Sequence, residues 1–469
     1  MQGNRGKSEF SAPREAPPVS PARQANLEKM AELRTVAEHR ARATTTAVPR
    51  RATPDYSRFN AGAGGGVAVS RNPAAVNPQA QAQTGTVNPA KKANTRRVYE
   101  RLPKFDMPFF TIVIVLLAFG VVMMFSASYA YAQRVHSDSY YYVMRQVMYI
   151  GGGLLALIIL SYFPYRIFLN KGLLTLGSMI TLSLMLFTAI AGRTFSGATR
   201  WIDFGLFTIQ PSEILKFVII VIFAYLGHTR FNRIKEFKYG FLPFVFFMGV
   251  ACGLMIIQPH LSGTIIVFSI GIIMMLVAEC KLKHILLLLL IFAVFAGLAL
   301  MAMNALGINY FEARFESWKD PESDIQGATF QTYQSLITIG SGGIFGLGLG
   351  NSRQKYAYLP ESHNDFIFSI VCEELGFVGA ALVVLLFILF IARGFYIASK
   401  ARDRFGMLLA AGMTSHMGIQ ALLNIGVATN TVPNTGISLP FFSYGGTALM
   451  MQLAEIGIIL NISRKSAIK

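Results

Sequence analysis

The chain has 469 residues, 53% of them hydrophobic and 14% charged, and its 42 Lys and Arg against 24 Asp and Glu give a formal net charge of +18. Charged residues are about half as common as in an ordinary soluble domain, which excludes a water-soluble globular fold. The positive charge is not the footprint of a nucleic-acid binder, because much of it lies in the N-terminal tail and in short links between apolar runs.

Residues 1–104 are rich in Ala, Pro, Arg, Gln, Asn and Thr, with Gly62-Ala63-Gly64-Gly65-Gly66 in the middle. Such a segment buries too little apolar surface to offset its ordering entropy, so it is expected to be disordered. It lacks the apolar region that a signal peptide needs. It closes with Lys91, Lys92, Arg96, Arg97, Arg101 and Lys104, a cluster placed to hold the N-terminus in the cytoplasm and to touch anionic lipid.

From Phe109 onward, apolar stretches of about 20 residues alternate with short polar links, as in a polytopic helical membrane protein. The expected fold is all-α, with ten transmembrane helices at 108–130, 144–164, 172–192, 212–228, 239–258, 261–279, 283–304, 366–392, 406–430 and 441–462. Ten spans put the basic links Arg166 to Lys171, Arg230 to Lys238, Lys281 to Lys283 and Arg393 to Arg404 on one side. The N-terminus and the tail Arg464, Lys465 and Lys469 join them there. The excess of Lys and Arg makes that side the cytoplasm, with both termini inside. Nine spans would scatter the basic links over both sides. The other links, 131–143, 193–211, 259–260, 305–365 and 431–440, then face outward. Cys252, Cys280 and Cys372 lie in or beside spans, at spacings that suit neither zinc nor a disulfide framework, and read as small apolar core residues.

The fourth span opens Gln210-Pro211-Ser212-Glu213-Ile214-Leu215-Lys216. An ionised side chain at the centre of a bilayer costs about 2.5–3.5 kcal/mol or more. Glu213 and Lys216, at i and i+3, share a helix face and can pair. Intramembrane charge of this kind faces a cavity or a protein interior and marks function, whereas a pair at a helix end can also simply snorkel to the interface.

The external link 305–365 is far longer than ordinary connections, which makes it functional or disordered. Its aromatic content, including Tyr310, Phe311, Phe315, Trp318, Phe330, Tyr333, Tyr356 and Tyr358, argues against disorder. The glycine-rich run Gly340 to Gly350 lacks the Gly-Lys-Ser/Thr ending of a phosphate loop and reads as a re-entrant or interfacial segment with close backbone approach. Asp320, Glu322 and Asp324 crowd this link, followed by Arg353, Lys355, Glu361, His363, Asn364 and Asp365. A polar cavity bounded by these groups and Glu213/Lys216 would hold a base, cations and a path to lipid. By themselves they leave open chemistry on, or transport of, an anionic lipid.

Several of these segments resemble the SEDS family (shape, elongation, division, sporulation). They are Gly197-Ala198-Thr199-Arg200-Trp201-Ile202, Gln210-Pro211-Ser212-Glu213 with Lys216, and Gln258-Pro259-His260-Leu261-Ser262-Gly263-Thr264. Leu359-Pro360-Glu361-Ser362-His363-Asn364-Asp365-Phe366, Glu373-Glu374-Leu375-Gly376 and Leu439-Pro440-Phe441-Phe442-Ser443-Tyr444-Gly445-Gly446 belong with them. The likeness runs in order over about residues 105–465, defines a ten-span domain from 105 to the end, and leaves the tail outside. The Glu-Glu-Leu-Gly and His-Asn-Asp-Phe wording is nearer the division and sporulation members. His260, where many relatives have Asp, and the added Ser262 depart from the pattern.

The resemblance implies a peptidoglycan glycosyltransferase that polymerises lipid II, releases undecaprenyl diphosphate and works with a class B penicillin-binding protein among divisome or elongasome proteins. It places the essential carboxylate of the large external loop on Asp324, with Asp320 as competitor, and the catalytic Glu and Lys on Glu213 and Lys216. Arg200, Trp201, Arg353, Lys355, His363, Asp365 and Ser443 become substrate-binding candidates. A carboxylate can deprotonate the acceptor hydroxyl, cations can stabilise the leaving diphosphate, and a divalent ion (Mg or Mn) can assist. Lys216 can pair instead with Asp324 and hold it ionised. A lipid II flippase and a non-catalytic division scaffold are the alternatives. No internal repeat of the transporter kind is visible, and the retained carboxylates and lysine argue against a scaffold.

Overall fold

The computed structural model describes residues 105–466, apart from 196–197, 204, 206–207, 259, 306–309, 328 and 357–358. The tail read as disordered and its basic cluster lie outside the described residues. Helices run in the order α1 Met107–His136, α2 Tyr141–Tyr162, α3 Lys171–Ala191, α4 Pro211–Thr229, α5 Leu242–Ile257, α6 Leu261–Val277 and α7 Leu282–Ala305. After them come the short α8 Tyr310–Lys319 and α9 Phe330–Ser341, then α10 Ile367–Ser399, α11 Arg404–Ala428 and α12 Gly446–Lys465. Among the described residues, seven helices are long and apolar enough to cross a membrane.

The helix starts follow from local chemistry. Asp106 caps α1 by accepting from Phe109 N, Asn170 caps α3, and Asp403 caps α11 by accepting from Gly406 N. Pro211 opens α4 in the first turn, where a missing N–H leaves no helix bond unmade. α11 falls outside the seven apolar helices because it is an interior helix. It packs against α4, α6, α10 and α12, and nearly every one of its residues is buried, His416, Gln420 and Asn424 included. α2 and α12 make the broadest helix–helix contact. Gly457 allows it: a Cβ there would stand 2.5 Å from the Leu157 carbonyl oxygen.

The basic links meet at one end of the bundle. Arg166 pairs with Asp403 at 2.7 Å, Arg393 with Asp106 at 2.8 Å and Arg404 with Glu279 at 3.6 Å. Cys252, Cys280 and Cys372 are buried thiols.

Two features depart from an all-α reading with uninterrupted spans. The link between α3 and α4 forms a small antiparallel sheet, β1 Arg193–Phe195, β2 Ala198–Asp203 and β3 Thr208–Ile209, with β2 in the centre. Its short runs of β-branched and aromatic residues are too brief to register against the helical periodicity around them. α10 is broken at Gly376, whose φ of 66° and ψ of −168° suit only glycine. The groups freed by the break are bonded by the glycine-rich run: Leu347 and Gly348 donate to the carbonyls of Glu373 and Glu374, and Phe377 and Val378 donate to those of Gly343 and Ile344.

Candidate functional site

Glu213 sits in the first turn of α4, where the partial positive charge of the helix N-terminus favours a carboxylate. One turn on, Lys216 Nζ lies 2.7 Å from Glu213 Oε2, and the two side chains are only 3% and 8% exposed. This settles the snorkelling alternative: the pair faces the protein interior. The ion pair of Lys216 is with Glu213 and not with Asp324, because Lys216 is enclosed by the bundle while Asp324 stands on an exposed turn.

Beside this pair the start of α6 is held by His260. Its Nδ1 accepts from Gly263 N at 2.9 Å, so the ring hydrogen is on Nε2, 3.0 Å from the Gln210 side-chain amide. Gln210 therefore presents its oxygen to the ring. Burial, reinforced by the Arg200 and Lys216 charges, pushes His260 down to about 3 and keeps it neutral. The residue that departs from the SEDS pattern thus acts here as a helix cap and as a link to α4.

Asp365 marks where several segments converge. Burial pushes its carboxyl up to about 7, with Glu361 adding to the rise and Arg200 and Arg314 opposing it. Asp365 itself is half-buried. Arg200 comes from β2, next to half-buried Trp201, and Arg314 from α8. The link after α11 is tied to the long loop. Arg314 and Trp318 donate to the Asn434 and Asn430 carbonyls, Asn430 donates back to Trp318 O, and Asn434 donates to Gln331. Asn424 on α11 donates to Asp365 O at 2.7 Å. Arg200 and Arg314 thus act electrostatically on Asp365, and Arg200 and the Glu213/Lys216 pair on His260.

Asp324 lies on the exposed turn between α8 and α9, and its carbonyl accepts from Gly327 N and Thr329 N. Its carboxylate folds over Gly327, where a Cβ would clash with Asp324 Oδ2. The glycine of the motif is there to admit this carboxylate. Asp320, its competitor, uses Oδ1 to accept from Glu322 N in its own turn.

Three candidates are used differently from the expectation. Lys355 is a strut: it is 4% exposed, and its Nζ donates to Glu374 Oε1 at 3.0 Å, Ser126 Oγ at 3.1 Å and Gly350 O at 2.7 Å. All three ammonium hydrogens are engaged, leaving none for a substrate. Ser443 Oγ donates to Asn364 O at 2.6 Å and accepts from Leu439 N at 2.7 Å, pinning one outer turn to another. His363 is buried among Tyr131, Tyr142 and Tyr444, and burial pushes it down to about 4. Arg353 is exposed and anchored by its backbone N–H to Glu373. Among the described residues no three or more His, Cys, Asp or Glu converge as a metal cage. Magnesium is commonly held by one or two carboxylates plus substrate phosphates, so a cage of protein groups is not a requirement for it.

The sequence reading missed His416 and Glu455, an ionisable pair buried between α11 and α12. The signal was present: both stand inside apolar runs, as Glu213 and Lys216 do.

The fold and site define a helical membrane protein with a buried ion pair near one end of its bundle. The chain belongs to the FtsW/RodA/SpoVE family of cell cycle proteins, whose sequence model matches residues 107–468. It is 37% identical over 362 residues to the stage V sporulation protein E of Bacillus subtilis, covering 77% of this chain and 97% of that one. It is 38% identical over 375 residues to a probable peptidoglycan glycosyltransferase FtsW of Thioalkalivibrio sulfidiphilus, covering 77% and 90%. Among solved structures it is similar to a chain of a peptidoglycan synthase complex that coordinates polymerization and crosslinking, at 26% identity and a TM-score of 0.61, over 77% of this chain and 98% of that one. It is also similar to the rod shape determining protein RodA of Thermus thermophilus, at 25% identity and a TM-score of 0.55, over 78% and 98%.

Proposed function

We propose that the chain is a peptidoglycan glycosyltransferase that polymerises lipid II at the outer face of a bacterial cytoplasmic membrane. The observation that carries this reading is the buried Glu213–Lys216 pair near the end of the bundle, in a member of this family.

All ten long helices cross the bilayer, α11 as an enclosed core helix and α6 as a short one. The end where Arg166, Arg393 and Arg404 gather faces the cytoplasm with both termini, so Glu213, Asp324 and Asp365 face outward.

In the reaction, the acceptor GlcNAc hydroxyl attacks the anomeric carbon of the donor MurNAc. The new C–O bond forms as the bond to the diphosphate breaks. The hydroxyl proton passes to Asp324, and the bonding electrons leave with undecaprenyl diphosphate. Lys216 and Arg200 stabilise the leaving diphosphate, and Glu213 holds Lys216. Asp365 and Trp201 border the substrate. A class B penicillin-binding protein crosslinks the product, and divisome or elongasome proteins recruit the pair.

The break in α10 lends the flippase reading no support. From Gly376 to Arg393, which belongs to the basic end, the helix is about 26 Å long at 1.5 Å per residue, most of a bilayer crossing. The break therefore lies near the outer boundary of the membrane rather than at the midplane site of a transporter. The test is purified protein with lipid II, with and without a class B penicillin-binding protein. Glycan strands are the expected product, and lipid II translocation without strands in both arms would overturn the reading.

A further inference from the structure

His416 on α11 and Glu455 on α12 are fully enclosed, both at 0% exposure, and His416 Nδ1 lies 3.1 and 3.0 Å from the two Glu455 carboxylate oxygens. The contact puts a ring hydrogen on Nδ1 and leaves Nε2, which is buried without a hydrogen-bond partner. A buried polar atom of this kind calls for a role.

The helix register shows where this ring lies. α4 and α11 pack side by side in opposite directions: Gly412 backs onto Ile220, and Gly227 onto Leu408. One turn outward from the Gly412/Ile220 contact brings His416 on one helix level with Lys216 on the other. His416 is close enough to act electrostatically on Glu213. An ammonium has three hydrogens to place, and in a water-poor interior the other two need acceptors besides Glu213. Glu213 Oε2, though 2.7 Å from Nζ, makes no well-directed hydrogen bond, so the ammonium is not locked in its present seat.

We propose that His416, held by Glu455, is a positioning residue for Lys216. Glu455 fixes the tautomer and makes Nε2 a better acceptor, as a carboxylate does for a metal-binding histidine. Nε2 takes one ammonium hydrogen as the side chains settle around substrate. The ammonium is then set between Glu213 and His416, with its remaining hydrogen turned outward to the donor diphosphate. This inference rests on the glycosyltransferase reading.

The test separates the two ring nitrogens. In His416→Asn the amide nitrogen can replace Nδ1 and keep the bond to Glu455, while nothing replaces Nε2. In His416→Gln the longer side chain reaches toward the Nε2 position. Because a hydrogen bond to a charged group is worth about 1.5–3 kcal/mol, His416→Asn should raise the KM for lipid II by ~10-fold or more, with a smaller change in kcat. Its melting temperature should stay near that of wild type, and His416→Gln should recover much of the KM. Glu455→Gln, nearly isosteric, should raise KM in the same direction. Equilibrium binding of fluorescent lipid II by the same proteins should weaken in parallel. An unchanged KM and unchanged binding in folded His416→Asn would overturn the proposal and leave the pair a packing element. Should His416→Asn not fold, Glu455→Gln with wild-type KM would overturn it equally. If wild-type protein binds lipid II but makes no strands, the failure belongs to the enzymatic reading, and the binding series still decides the role of His416.

Discussion

Glu213 and Lys216 should behave as one unit. At 2.7 Å and an effective dielectric constant of about 20, their attraction is about 6 kcal/mol before desolvation is subtracted. With both side chains under 10% exposed, removing one partner leaves the other charged and poorly solvated, which typically costs about 3–5 kcal/mol. Removing both leaves no stranded charge. Glu213→Ala and Lys216→Ala should therefore each lower thermal stability and abolish polymerisation. The double variant should lose little more activity than the worse single change, and should be more stable than the sum of the two losses implies. The cycle is to be read twice, by thermal unfolding in detergent or nanodiscs and by the rate of glycan formation from lipid II. Strictly additive losses in both would refute the buried-pair reasoning and make the two residues independent surface groups.

Asp324→Ala should abolish polymerisation with a nearly unchanged melting temperature, since the side chain is exposed; retained activity, with loss instead in Asp320→Ala, would move the base to Asp320. Asp365, with its carboxyl raised to about 7, is protonated more readily folded than unfolded. Its contribution is fully present below about pH 4 and is lost as pH rises through 7, up to about 4 kcal/mol at about 1.4 kcal/mol per unit. Asp365→Asn, fixed in the neutral form, should flatten stability between pH 5 and pH 8, and an unaltered pH profile would contradict this. Lys355→Ala should destabilise the protein by about 3–5 kcal/mol through stranded Glu374, with specific activity per folded molecule and KM for lipid II retained; a raised KM would restore Lys355 to the substrate site. Deleting residues 1–90 should leave polymerisation in vitro intact at equal protein yield, and a loss there would make the tail part of the enzyme.

Each of the ten expected apolar segments overlaps a helix, with ends that differ by up to seven residues, and seven helices among the described residues are long and apolar enough to cross a membrane, because an apolar run of bilayer length has few structures open to it other than a helix. The pairing of Glu213 with Lys216 was legible too, since three residues of helix place two side chains on one face. So was the family, carried by motifs that stand in order along the chain. None of these conclusions needs to know which helix lies beside which.

The rest depended on distance across the fold. Lys355 and Ser443 look like substrate ligands in the sequence, and only the arrival of Glu374, Ser126 and Asn364 from elsewhere shows their hydrogen bonds already used. Asp365 is an ordinary aspartate until burial beside Glu361 raises its carboxyl. The break at Gly376 is invisible in an apolar run, because the groups it frees are satisfied by a glycine-rich segment about thirty residues earlier. His416 and Glu455, 39 residues apart, become a pair only when α11 and α12 pack together. Local propensity and hydrophobic pattern act over a few residues and settle the helices. Hydrogen-bond satisfaction and desolvation act on whatever the packed helices bring together, so they assign the polar residues their roles only in the folded protein.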